Sequence, residues 1–138
     1  MLDQLGCRFH HLGVACRDLA QEARTWLSLG YRADSEIFED PIQSVRGQFL
    51  AGPGPKLELL ASLTPDGPVA QMVRRGIKIY HQGFETAGFD AAIIVLRGAN
   101  FKLVKGPVPS VAFATRRIAF FLMPNMSLIE IIEKEPEL

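Results

Sequence analysis

Residues 9–16, FHHLGVAC, form a run of apolar and β-forming residues with two imidazoles, His10 and His11, set into it. Such a run reads as a buried strand. Asp18 behind it reads as a helix N-cap, with Leu19, Ala20, Ala23, Trp26 and Leu27 at helical spacing and Gly30 as the stop. Strand-like stretches follow at residues 31–38, 42–50 and 56–63. The last, KLELLASL, suits helix or strand by propensity. The Gly/Pro turn AGPGP (51–55) in front of it predicts a hairpin partner.

The second half repeats that order. A break at LTPDGP (63–68) precedes a short helix over residues 69–75, capped by Gly76. Residues 77–86 are strand-like and carry IYHQGFE, and FDAAIIVL (89–96) is a short apolar helix ended by Gly98. Residues 101–104 read as a strand, Pro107-Val108-Pro109 as a loop, and 117–123 and 128–133 as strands joined by a Pro124-Asn125 turn. Strand, helix and three strands, twice over, predict a duplicated βαβββ unit in an α+β domain. Module one spans about 8–63, a connecting helix about 67–76 and module two about 77–134. One unit of about 60 residues buries too little surface to be secure alone, so two modules sharing a sheet is physically sensible.

The whole chain has 138 residues, 48% hydrophobic and 22% charged, which excludes disorder and fibrous repeats. Fifteen basic and fifteen acidic side chains give zero net charge and no general hold on nucleic acid or an anionic membrane. No apolar run is long enough to cross a bilayer. The start, MLDQLGCRFHHLGVAC, lacks a basic region followed by an apolar stretch and cleavage site, so a cytoplasmic location is expected. Cys7 and Cys16 are too few for a disulfide scaffold and lack C-x-x-C spacing, so both are expected to stay reduced.

Three histidines occur, His10, His11 and His81, and His11 and His81 lie in the strands that open the repeats. Each repeat ends in an apolar strand carrying one acid, Glu58 in LELL and Glu130 in LIEII. Glu58 follows His11 by 47 residues and Glu130 follows His81 by 49. In one reading each glutamate faces water on a half-exposed strand and each histidine is an ordinary partly buried one. In the other, the four side chains form a ligand set for a divalent first-row metal: zinc, cobalt, nickel or manganese. A buried carboxylate needs a partner, because an unpaired buried charge is very costly. The recurrence of His-then-Glu at matching positions favours the second reading.

FHHLGVACRDL, the helix ending LSLGY, GPGPKLELL, the Tyr80-His81 strand, RRIAFFLMP and LIEII together resemble the vicinal oxygen chelate superfamily, over residues 8–133. The resemblance is closest to its methylmalonyl-CoA epimerase-like branch, with the glyoxalase I branch next. It implies two βαβββ modules in a curved, eight-stranded mixed sheet that cups a divalent metal held by His11, Glu58, His81 and Glu130. It also implies a small-molecule substrate, an acyl-CoA, and a homodimer. The family chemistry is proton abstraction next to a metal-chelated carbonyl, best matched by epimerisation of a methylmalonyl-CoA-type 2-carboxyacyl thioester. Glu130 and Glu58 are then the catalytic candidates, and Tyr80 takes a place where epimerase-like relatives often have another histidine. Two alternatives use the same cup: glyoxalase-like isomerisation of a hemithioacetal, and sequestration of an antibiotic without catalysis.

The stretch Val45-Arg46-Gly47-Gln48-Phe49 departs from the epimerase pattern, because it holds no additional acid. Gln48 can bind substrate but cannot take a proton. Arg117, in the Arg116-Arg117 pair, could meet a substrate phosphate or carboxylate. Gln48, Tyr80 and Arg117 are therefore the expected substrate contacts.

Overall fold

In the computed structural model, which describes residues 1–135, the chain forms nine strands of a mixed, open sheet and three α-helices. The contacts divide it into two compact units, His11–Tyr80, and Met1–His10 together with the chain from His81 onward.

The first unit begins within β1 (Arg8–Cys16) and continues through α1 (Leu19–Ser28), β2 (Arg32–Ala33), β3 (Phe38–Asp40), β4 (Val45–Ala51), β5 (Leu57–Ser62) and α2 (Pro68–Arg74). α1 starts where the sequence predicts, because the Asp18 side chain accepts from the Gln21 backbone N–H at 3.0 Å. It stops before Gly30, whose φ of +100° only glycine adopts at little cost. Leu19, Ala23 and Trp26 turn one face of α1 onto Val14, Leu50, Leu57 and Leu59. Fully burying one such aliphatic or aromatic side chain is worth about 1.5–3 kcal/mol. The strand order is β2–β4–β5–β1, with β3 also on β4. β1 and β5 run parallel, and β4 and β5 form the expected antiparallel hairpin.

The second unit takes β6 (Ile79–Thr86) from His81 onward, with α3 (Phe89–Gly98), β7 (Lys102–Pro109), one 3-10 turn (Val111–Phe113), β8 (Arg117–Leu122) and β9 (Leu128–Glu133). Its order, β6–β9–β8–β7, mirrors that of the first, with β6 and β9 parallel and β8 antiparallel to β9. Phe89, Ala92, Ile93 and Leu96, spaced i, i+3, i+4 and i+7, pack α3 against Ala119, Phe121, Ile129 and Ile131.

Three local expectations differ from the structure. The stretch 31–38 is broken into β2 and β3, which makes nine strands rather than eight. α3 runs through Gly98, and the left-handed residue after it is Asn100, with φ of +66°. Pro107-Val108-Pro109 is the end of β7 rather than a loop. β7 is an edge strand paired with β8 through two register shifts, and an edge tolerates residues that have no N–H to donate. Among the described residues, both cysteines are free and no helix is long and apolar enough to cross a membrane.

Candidate metal centre

Alternate side chains of a strand point to opposite faces of the sheet. In β1, Leu12, Val14 and Cys16 take the face that packs on α1, so His11, Gly13 and Ala15 take the other. Gly13 is the register partner of Glu58, which puts the glutamate on the His11 face of the neighbouring strand. His11 Nε2 lies 3.1 Å from Glu58 Oε1. β6 and β9 repeat this arrangement. Gly83 is the register partner of Glu130, and His81 Nε2 lies 3.4 Å from Glu130 Oε1. All four side chains are buried, at 0%, 4%, 3% and 2% exposure for His11, Glu58, His81 and Glu130. The reading in which the glutamates face water is therefore set aside.

Each imidazole also meets a phenyl ring, a feature missed in the sequence. Phe49 stands opposite Glu58 across the β4–β5 hairpin, and its ring lies 5.7 Å from that of His11 at 78°. Phe120 stands opposite Glu130 across β8–β9, 5.3 Å from the His81 ring at 89°. The available signal was the hairpin itself, because a residue opposite a glutamate must share its face.

Each of His11, Glu58, His81 and Glu130 offers one ligand atom, and these atoms all lie within 4.8 Å of one another. Two imidazole nitrogens and two carboxylate oxygens fit borderline first-row divalent ions. This buried His/Glu group could hold a metal ion.

The three expected substrate contacts fare differently. Gln48 is opposite Leu59, a member of the α1-facing cluster, so it lies on the face away from Glu58. Its Nε2 donates to the Ser35 carbonyl at 3.1 Å, so it braces the chain before β3 instead of reaching the His11 face. Tyr80 packs against Ala15, Val45, Leu60 and Val69. Arg117 is committed elsewhere. Its Nη1 and Nη2 donate to the Asp90 carboxylate at 2.9 and 3.2 Å, and Nη2 also donates to Glu133 Oε2 at 2.6 Å. The guanidinium stands 4.7 Å over the Phe89 ring, on the α3 side of the sheet. Its hydrogen bonds hold Glu133 and Asp90 below the usual carboxylate range and, with Glu133 foremost, push its own pKa up. The Cys16 thiol is pushed up to about 12, chiefly by burial, and is unreactive at neutral pH.

Repeated strand–helix–strand modules, each burying one His–Glu pair behind a phenylalanine, define a glyoxalase-like α+β protein. The chain belongs to the Glyoxalase/Bleomycin resistance protein/Dioxygenase superfamily, the vicinal oxygen chelate proteins, whose family model matches residues 10–120. No curated protein matches it. Among solved structures it is similar to hypothetical protein BH1468 from Bacillus halodurans C-125, at 22% identity over 96% of this chain and 97% of that one, with a TM-score of 0.81. A methylmalonyl-CoA epimerase in complex with methylmalonyl-CoA and NH4+ is 23% identical over 91% and 93%, with a TM-score of 0.77. The methylmalonyl-CoA epimerase from Mycobacterium tuberculosis is 27% identical over 93% and 88%, with a TM-score of 0.76.

Proposed function

We propose that this chain is a metal-dependent isomerase that removes a proton next to a carbonyl, acting as an epimerase of a methylmalonyl-CoA-type 2-carboxyacyl thioester. The observation that carries the proposal is the buried set His11, Glu58, His81 and Glu130, with its ligand atoms within 4.8 Å of one another. The 27% identity to the Mycobacterium tuberculosis epimerase, over most of both chains, supports the choice of substrate.

His11 and His81 would hold the ion through Nε2, and Glu58 and Glu130 through one carboxylate oxygen each. A divalent cation held there supplies Lewis acidity towards an oxygen that gains negative charge as the proton leaves. Glu130 and Glu58 are the candidate proton carriers. One, as a carboxylate, takes the C2 proton, and the other, as a carboxylic acid, gives its own proton to the opposite face of the carbon; exchange with solvent between turnovers restores both. One proton leaves and one arrives, so the product differs from the substrate in configuration alone. Burial of all four side chains keeps bulk water from these groups.

The test is solvent exchange. Cobalt-loaded protein incubated with methylmalonyl-CoA in deuterium oxide should place deuterium at C2. No exchange, with turnover of the methylglyoxal–glutathione hemithioacetal instead, would assign the glyoxalase-type reaction. Neither reaction in metal-loaded protein would leave a binding protein. The proposal extends to a homodimer, which rests on the family resemblance and is read by sedimentation, and to a cytoplasmic location, which rests on the sequence and is read by cell fractionation.

A further inference from the structure

We propose that Phe49 and Phe120 are positioning residues that hold the imidazoles of His11 and His81 in their metal-binding orientation, an inference that rests on the metal-centre reading above. An imidazole turns broadly about its Cβ–Cγ bond, so its ring plane is set by what stands beside it. In the first unit Phe49 is such a neighbour, 5.7 Å away and 78° to the imidazole plane. In the second Phe120 is another, at 5.3 Å and 89°. Near-perpendicular aromatic contact is a favoured geometry and leaves the imidazole little room to swing.

The repeat separates this role from ordinary core filling. Phe49 faces Glu58 and Phe120 faces Glu130 in the same register. One step along the same face, the two repeats no longer agree: Gly47 stands opposite Leu60, whereas Ile118 stands opposite Ile132. One step the other way, Ala51 corresponds to Leu122. On β4 and β8, the side chain kept on this face in both repeats is the one against the histidine. Fixing the ring before an ion arrives removes an ordering cost from binding, so the phenylalanines act on affinity through the histidines.

The full chain is compared with Phe49→Leu, Phe120→Leu and Phe121→Leu. Phe121 is fully buried in the α3-facing core and serves as the control. Two readouts are taken: cobalt affinity by competition with a chelating dye, and the NMR order of each imidazole ring in metal-free protein. Phe49→Leu should loosen the His11 ring, Phe120→Leu the His81 ring, and each should weaken cobalt binding by about tenfold. Phe121→Leu should lower the melting temperature at least as much yet leave both readouts unchanged. Phe49→Tyr and Phe120→Tyr keep the ring and should keep both readouts; they replace the leucine variants if those do not fold. Unchanged ring order in the leucine variants, loosened rings in the tyrosine ones, or an equal loss of affinity in Phe121→Leu, would overturn the proposal. If the wild-type chain binds no cobalt, the metal-centre reading fails by itself, and ring order alone then decides the positioning role.

Discussion

Gly13 stands directly opposite Glu58 in the parallel pairing of β1 with β5, and Gly83 stands in the same relation to Glu130 between β6 and β9. Each glycine lies two residues beyond its histidine, so histidine and glutamate share a face. A slip of one residue in either register would send the imidazole to the opposite face and break the pair. Two strand registers thus set all four candidate donors.

Removing one carboxylate charge tests that placement at little cost to the fold. Glu58→Gln and Glu130→Gln keep size and hydrogen-bonding capacity but remove the anion. Each should weaken divalent-metal binding by about tenfold or more in calorimetric titration. Both variants should still fold without metal, because the amide keeps the size and hydrogen-bonding capacity of the acid. A variant that unfolds, or binds metal as well as the wild type, would contradict the assignment.

Arg117 should matter for acid stability and not for metal binding. Its partners Glu133 and Asp90 have folded-state pKa values held below the ordinary range, so their contribution is present above pH about 4, where the unfolded carboxyls are also ionised. It is lost as pH falls through the depressed folded values. Arg117→Met should therefore be less stable than wild type at pH 7, and its stability should fall less steeply below pH about 4. Thermal unfolding across pH reads this, and unchanged cobalt affinity would place Arg117 outside the centre.

Gly47 has no room for a side chain. A Cβ there would meet Leu60 Cδ2 and Phe38 Cζ at 2.7 Å and the Leu59 carbonyl oxygen at 2.8 Å. The backbone contact cannot swing aside, so Gly47→Ala should cost about 1–3 kcal/mol in denaturant unfolding. Gly98→Ala is the control, because no atom beyond its chain neighbours and its own helix backbone lies within 4 Å of the added Cβ, and its helix position favours alanine.

The repeat and the four His/Glu positions were legible because apolar periodicity and a doubled His-then-Glu order survive in one dimension. Which face a side chain takes was harder to read. Gln48 and Arg117 sit beside residues of interest in sequence, but alternation turns each to the helix-covered side, where Ser35 and Asp90 meet them. Phe49 and Phe120 look like ordinary core residues until the hairpin registers set them against Glu58 and Glu130. The prolines of β7 read as a loop because proline is foreign to a central strand, and edge position appears only once strands are ordered in space.

Anomalous X-ray diffraction from crystals of the cobalt-loaded protein, collected at the cobalt edge, bears most directly on the metal centre. One peak within bonding distance of His11, Glu58, His81 and Glu130 is the expected result. A peak bound by one His–Glu pair alone, a peak elsewhere, or none in metal-saturated crystals would contradict it.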